Sequence, residues 1–178
     1  MKNLLIILTL FISSISFAQN ISIDEVDKFT ENRVIQINAL TGKYWSASDA
    51  INKNVFKEQV FLSTKLIKSP EGNITSYINL NVQSSYSLCF SQGQVIFLFE
   101  NGEKLILNQS SKLDCNTKNN VQFLFTVEEL KILSNNIISE FRMYTTDGYI
   151  DFEMKKKAKK IVQETFKWTF DKLKKIQQ

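Results

Sequence analysis

The sequence predicts an α+β domain, a curved antiparallel β-sheet or partly open β-barrel of about nine or ten short strands with a long C-terminal amphipathic helix packed on it. Three observations carry this reading. Apolar and polar residues alternate through the middle of the chain, as they do in strands buried on one side. The turn dipeptides Asn101-Gly102 and Asp147-Gly148 each separate two such runs. From Ala158 onward the apolar spacing becomes helical and stays so to the end of the chain.

The first element is a leader. Lys2, an apolar run from Leu4 to Ile12 broken only by Thr9, and Ser16-Phe17-Ala18 form the pattern of an export signal over residues 1–18, with Gln19 the expected first mature residue. A bilayer-spanning helix needs about 20 apolar residues, so a permanent anchor is not expected, and no cysteine follows the cut to carry lipid. The expected compartment is the periplasm or the exterior. Removing residues 1–18 from 178 leaves 160, enough for a single domain over 19–178 with its own core. Lys, Asn and Ile are prominent and Pro70 is the single proline, a composition that suits an AT-rich bacterial genome.

Val60, Leu62 and Leu66 alternate with Ser63 and Lys65. After the turn-rich Lys68-Ser69-Pro70-Glu71-Gly72-Asn73, the pattern resumes with Ile74, Ile78, Leu80 and Val82, which predicts a hairpin with a longer loop. Val95 to Phe99 is apolar at every position, so a central strand covered from both sides is expected there. A tight type I′ turn at Asn101-Gly102 should join it to Leu105-Ile106-Leu107. Asn116 to Asn120 is expected to be an exposed loop; Thr41 to Lys57 is the least readable stretch, and its Tyr44-Trp45 followed by Ser46-Ala47-Ser48-Asp49 fits a loop or a short capped helix. Thr126-Val127-Glu128-Glu129 has the spacing of a capping box and should open a short helix ending near Ser134.

A two-residue turn at Asp147-Gly148 would place Thr146 opposite Tyr149, Tyr144 opposite Asp151 and Arg142 opposite Glu153. One face then gathers Phe141, Met143, Ile150, Phe152 and Met154, and the other Arg142, Tyr144, Tyr149, Asp151 and Glu153. The terminal helix, expected over 155–177, sets Ala158, Ile161, Val162, Thr165, Phe166, Thr169, Leu173 and Ile176 against Lys156, Lys160, Lys167 and Lys174.

Charge is segregated along the chain. The net charge is +4 for the whole sequence. The segment from Met154 onward holds nine lysines against Glu164 and Asp171, while Gln19 to Glu153 is net acidic. The basic helix face fits first a solvated surface, then attraction to an anionic membrane; nucleic acid is not expected as a partner, because the body is acidic and no row of exposed aromatics is evident.

The absence of histidine removes the Ser-His-Asp triad, the Cys-His dyad and imidazole base catalysis. The five glycines are scattered among turns, so no phosphate-cradling loop is present, and two cysteines without histidine cannot build a zinc site. No metal and no cofactor are expected. Cys89 and Cys115, an even pair in an exported chain, are expected to form a disulfide worth about 3 to 4 kcal/mol; two free thiols are the alternative. Only carboxylates are left as catalysts: Asp147, Asp151 and Glu153 beside Tyr144 and Tyr149 have the composition of a glycosidase site, but also that of a turn and a cross-strand ion pair. The functional expectation is therefore a non-enzymatic binding or envelope-interaction protein, with a protein or a small hydrophobic molecule as partner, ahead of a carboxylate-dependent hydrolase.

Two resemblances add to this. Leu40-Thr41-Gly42-Lys43-Tyr44-Trp45 resembles the early Gly-x-Trp stretch of lipocalins, here spaced Gly-x-x-Trp, which implies a carrier of small hydrophobes. The layout from Val26-Asp27-Lys28-Phe29-Thr30 through Val95 to Gly102 and on to Arg142-Met143-Tyr144 is similar to small exported bacterial β-rich proteins of unassigned function; its motifs are strands and turns, so no functional residue carries over.

Overall fold

Strands with alternating burial build two antiparallel sheets, seen in a computed structural model that describes residues 21–39, 45–49, 55–56, 59–90 and 93–178. The expected leader at 1–18 and the Gly42 segment lie outside the described residues. The first sheet has the order β1-β2-β5-β6-β9, formed by Ile21–Val26, Arg33–Ala39, Gln59–Lys68, Ile74–Phe90 and Asp114–Leu124. The second has the order β4-β3-β11-β10-β7-β8, formed by Val55–Phe56, Trp45–Asp49, Gly148–Met154, Ile138–Thr145, Gln94–Phe99 and Lys104–Asn108. Helix α1 is Val127–Asn135 and helix α2 is Lys156–Gln177. The molecule is α+β as expected, with its strands divided between two sheets and not closed into a barrel.

The inward positions of both sheets form one core. Leu62, Ile78, Leu80 and Val82 face it from the first sheet, and Val95, Phe97, Phe141, Ile150 and Phe152 from the second. The stacked rings of Phe141 and Phe152 lie 4.7 Å apart at its centre. The sheets adjoin where Gln109 bridges Phe123 and where the Thr146 N–H donates to the Cys89 carbonyl. Helix α2 fills the space elsewhere, touching β2 and β5 of one sheet and β10 and β11 of the other. Its buried side chains are Ala158, Val162, Thr165, Phe166, Thr169, Leu173 and Ile176, so the helical pattern seen in the sequence is the packing face. Two of these are hydroxyls: Thr169 meets Thr64 at 2.6 Å, and Thr165 and Thr169 donate back to the Ile161 and Thr165 carbonyls, so both helix hydroxyls are partnered.

The capping box forms as the spacing predicts. Thr126 Oγ1 accepts from the Glu129 N–H at 3.2 Å, and a Glu129 carboxylate oxygen accepts from the Thr126 N–H at 2.6 Å. Cys89 and Cys115 are bonded and stand directly opposite one another on β6 and β9.

Several local expectations need correction. The β10–β11 pairing sets Arg142 opposite Asp151, Tyr144 opposite Tyr149 and Glu140 opposite Glu153, with Thr146 and Asp147 as the turn. That is two residues from the expected register. A slip of two keeps every side chain on its own face, so the face partition is as expected while each partner changes. Asn101-Gly102 is not a type I′ turn: the Gly102 N–H donates to the Phe99 carbonyl, Gly102 has φ 84°, and Asn101 is not at positive φ. The result is a three-residue loop, a type I turn followed by a left-handed glycine. Ser69 to Asn73 repeats it, with Pro70 at the second turn position and Gly72 at φ 89°. Within β7, Val95, Phe97 and Phe99 are buried while Ile96 and Leu98 are only half-buried, so one face of that strand is open. Trp45–Asp49 is strand β3, paired with β11, and Asn116 to Asn120 lies within β9, paired with β6, because neighbouring strands offer both segments a ladder.

Candidate functional site

The outer face of the six-stranded sheet carries the polar residues that the hairpin pattern singles out. Arg142 is gripped by Asp151 through two parallel hydrogen bonds, Nε to Oδ1 at 2.6 Å and Nη2 to Oδ2 at 2.8 Å. Its guanidinium carbon lies 3.7 Å from the centre of the Tyr149 ring, and Tyr149 meets Tyr144 edge to face at 6.3 Å. The hydrogen bonds to Asp151 raise the guanidinium pKa above its ordinary value; partial burial opposes them, while Tyr149 and Tyr144 reinforce them. A bidentate pair capped by an aromatic ring is a rigid ornament on the sheet.

That geometry bears on the carboxylates. Asp151 is engaged by Arg142, Asp147 is exposed in the turn, and Glu153 stands exposed opposite Glu140, a like-charged neighbour. Beside them is a shallow depression of about 160 Å³ between Leu98, Lys104, Glu140 and Arg142. Among the described residues no group of three or more ligating side chains is placed to hold a metal ion.

On helix α2, Lys156, Lys160, Lys167 and Lys174 are all exposed. The neighbouring aromatics do not form a second apolar face: Phe166 is in the core, Phe170 is partly buried under the Lys174 ammonium 4.2 Å from its ring centre, and Trp168 is the exposed one of the three. Lys159 holds Glu100 at 2.8 Å, tying the helix to the β7–β8 turn. No helix among the described residues is long and apolar enough to cross a membrane.

A site that motif reasoning missed lies on the outer face of the five-stranded sheet. The register aligns Asn38, Ser63, Asn79 and Gln122 in one row across β2, β5, β6 and β9, and Phe61, Asn81 and Asn120 in the next. These rows floor a depression of about 350 Å³ whose described lining holds no charged side chain. Lys65, opposite the lining residue Gln36, and Lys118, opposite the lining residue Gln83, flank it in its two end rows. Asn79 points away from the core, between inward Ile78 and Leu80, yet it is only 8% exposed at the floor of the depression.

The hydrogen bonding of this floor is incomplete. Asn79 Nδ2 donates weakly to Ser63 Oγ at 3.4 Å, and Gln36 Nε2 donates to Asn38 Oδ1 at 3.0 Å. The carbonyl oxygens Oδ1 of Asn79 and Asn81 are buried without a partner. Leaving a buried acceptor unpaired costs about 1 to 3 kcal/mol. Asparagine is also disfavoured in strands, where threonine or valine would serve stability better. The signal was present in Ile78-Asn79-Leu80-Asn81-Val82-Gln83, whose alternation sets three amides on one face, and in Asn120-Val121-Gln122. Apolar alternation alone marks only the core half of such a strand.

A larger groove, about 980 Å³, runs between the β5–β6 turn, the start of α1 and the end of α2. Exposed Ile106, Leu124 and Val127 line it together with Lys68, Glu128 and Glu129. Comparison of the chain with protein-family models, with curated proteins and with solved structures finds no match.

Proposed function

We propose that this chain is an exported, non-enzymatic binding protein, and that it binds through the amide-lined depression on the outer face of the five-stranded sheet. The observation that carries the reading is the pair of buried, unpartnered carbonyl oxygens on Asn79 and Asn81, set in strands that would be more stable with other residues there. Violations of local preference without an internal compensation concentrate at functional sites. The depression has the volume of a small-molecule site, at the lower end of about 300 to 1,000 Å³.

Export is supported by the leader pattern at 1–18 and by the Cys89–Cys115 bond, which suits an oxidising compartment. A carrier of hydrophobes would need an apolar interior cup, whereas the space between these sheets is packed with phenyl rings and helix α2. The binding reading is tested by following the side-chain amide signals of the labelled mature protein by ¹H–¹⁵N NMR. The panel contains polyols, end-blocked neutral peptides, anions, cations and aliphatic compounds. Selective shifts of the Asn79, Asn81 and Gln83 amides by at least one class are expected; unchanged spectra across the whole panel sink the proposal.

A further inference from the structure

We infer that the ligand of the amide-lined depression is a neutral saccharide, a specification that rests on the binding reading above. Charge is the first constraint. An ionised ligand would shed its hydration over a floor that offers no counter-charge, which is unfavourable. An aliphatic ligand would offer no donor to the carbonyl oxygens of Asn79 and Asn81, which are already buried without a partner. What remains is a neutral molecule that donates and accepts hydrogen bonds in close sequence. Hydroxyls on adjacent ring carbons do so, and a carboxamide meets them with one acceptor and two donors held in a plane.

Phe61 supplies the other half of the recognition. It is half-buried in the same row as Asn81, directly opposite it across β5 and β6. A pyranose has an apolar C–H face and a hydroxyl-bearing edge; a phenyl ring packs on the first while the neighbouring amides bond the second. A peptide is the competing neutral ligand. Peptides that bind sheets do so by main-chain hydrogen bonds at an open edge. Here β5 is paired with β2 and β6, and β6 with β5 and β9, so the main chain beneath the depression is already used in the ladder. Only side chains are available, and side-chain amides on a flat floor with one phenyl ring favour a saccharide.

The test is titration of the mature, disulfide-bonded protein with maltotriose, cellotriose, mannotriose and N-acetylchitotriose, read by side-chain amide NMR and by calorimetry. At least one trisaccharide should shift the Asn79 and Asn81 amide signals and broaden or shift the Phe61 ring signals. Asn81→Ala and Phe61→Ala should each weaken its binding tenfold or more in a protein that still melts cooperatively, Asn81→Ala no lower than the parent because it removes an unpaired buried acceptor, while Tyr144→Ala on the other sheet should leave binding as it was. Because mapping on the unmodified protein does not depend on how the variants fold, absence of any shift with every trisaccharide overturns the inference by itself. Shifts caused only by an end-blocked neutral peptide would overturn the saccharide assignment and leave the binding reading standing. Saccharide binding that both variants leave intact would place the ligand elsewhere and overturn it as well.

Discussion

Asp24 joins three elements through one carboxylate. On β1 it accepts from Arg33 of β2, Nε to Oδ1 at 3.0 Å and Nη2 to Oδ2 at 3.3 Å, and it faces Lys172 of α2 with Nζ 3.7 Å from Oδ2. The Arg33 hydrogen bonds hold its pKa below the ordinary carboxylate value; burial opposes them, and the positive charges of Arg33 and Lys172 lower it further. A depressed folded-state pKa adds stability above the unfolded value of about 3.9 that is lost as the pH falls through the lower folded value. The pair is partly solvated, so Asp24→Asn should cost only about 0.5 to 1 kcal/mol at neutral pH. Thermal melts of both proteins from pH 7 to pH 2 check this: the gap between them should close below about pH 4, and a constant gap would assign the cost to something other than charge. Cys89 and Cys115 are the other residue pair with a measurable consequence. Their separation of 26 residues gives a loop whose closure stabilises by about 3 to 4 kcal/mol, so reduction should lower the unfolding free energy obtained from urea denaturation by that amount. Intact mass with and without reductant reports the bond itself, and two freely alkylated thiols in the unreduced, unfolded protein would contradict it. This pairing was legible from the cysteine count and the leader-like pattern of residues 1–18, whereas Asp24 was not, because its partners are nine and 148 positions away.

Hairpins show which part of an element a sequence can carry. In β10 and β11 the apolar set Phe141, Met143, Ile150, Phe152 and Met154 is wholly buried, so the inward face was readable from period alone. The partner of each residue was not, since registers two apart serve the core equally and the choice falls to turn geometry. Thr146-Asp147, with Gly148 at φ 145° closing the strand, decides it. The consequence is an Arg142–Asp151 pair in place of Arg142–Glu153, which changes what substitution should do. Phe152→Asp buries an unpaired carboxylate beside Phe141 and should cost more than about 4 kcal/mol, enough to abolish folding of a marginal variant. Asp151→Asn breaks a half-exposed bidentate pair and should cost about 1 kcal/mol, while Glu153→Gln, which relieves the repulsion from Glu140, should be neutral or slightly stabilising. Urea denaturation of the three variants gives the order; equal losses for Phe152→Asp and Asp151→Asn would contradict the face assignment. The capping box and the apolar arc of α2 were readable for the same reason as the inward faces: each is written within a few residues of itself.

At the scale of the molecule, the two-sheet arrangement and the amide-lined depression both depend on contacts far apart in the chain. The Asn38–Ser63–Asn79–Gln122 row draws one residue from each of four strands, and only the registers bring them together. Helix α2 is what lets the sheets differ from a barrel. It occupies the space that a closed sheet would have to fill by curling on itself, reaching β2 and β5 on one side and β10 and β11 on the other. Its largest buried side chains, Val162, Phe166, Leu173 and Ile176, at about 1.5 to 3 kcal/mol each represent about 6 to 12 kcal/mol of burial. Domains of this size are stable by about 5 to 15 kcal/mol in total. Removal of residues 156–178 should therefore do more than lower the melting temperature: it should expose the inner faces of both sheets and leave a chain without a cooperative transition. The expected record is loss of near-ultraviolet circular dichroism and strong binding of a hydrophobic dye, with the disulfide still formed. An anionic-membrane role for Lys156, Lys160, Lys167 and Lys174 predicts the reverse, a truncated protein that melts as before but no longer binds anionic vesicles in a salt-sensitive way. The buried arc decides in favour of the first outcome, because a helix that detaches to lie on lipid must expose Phe166 and Leu173 together with the inner sheet faces they cover.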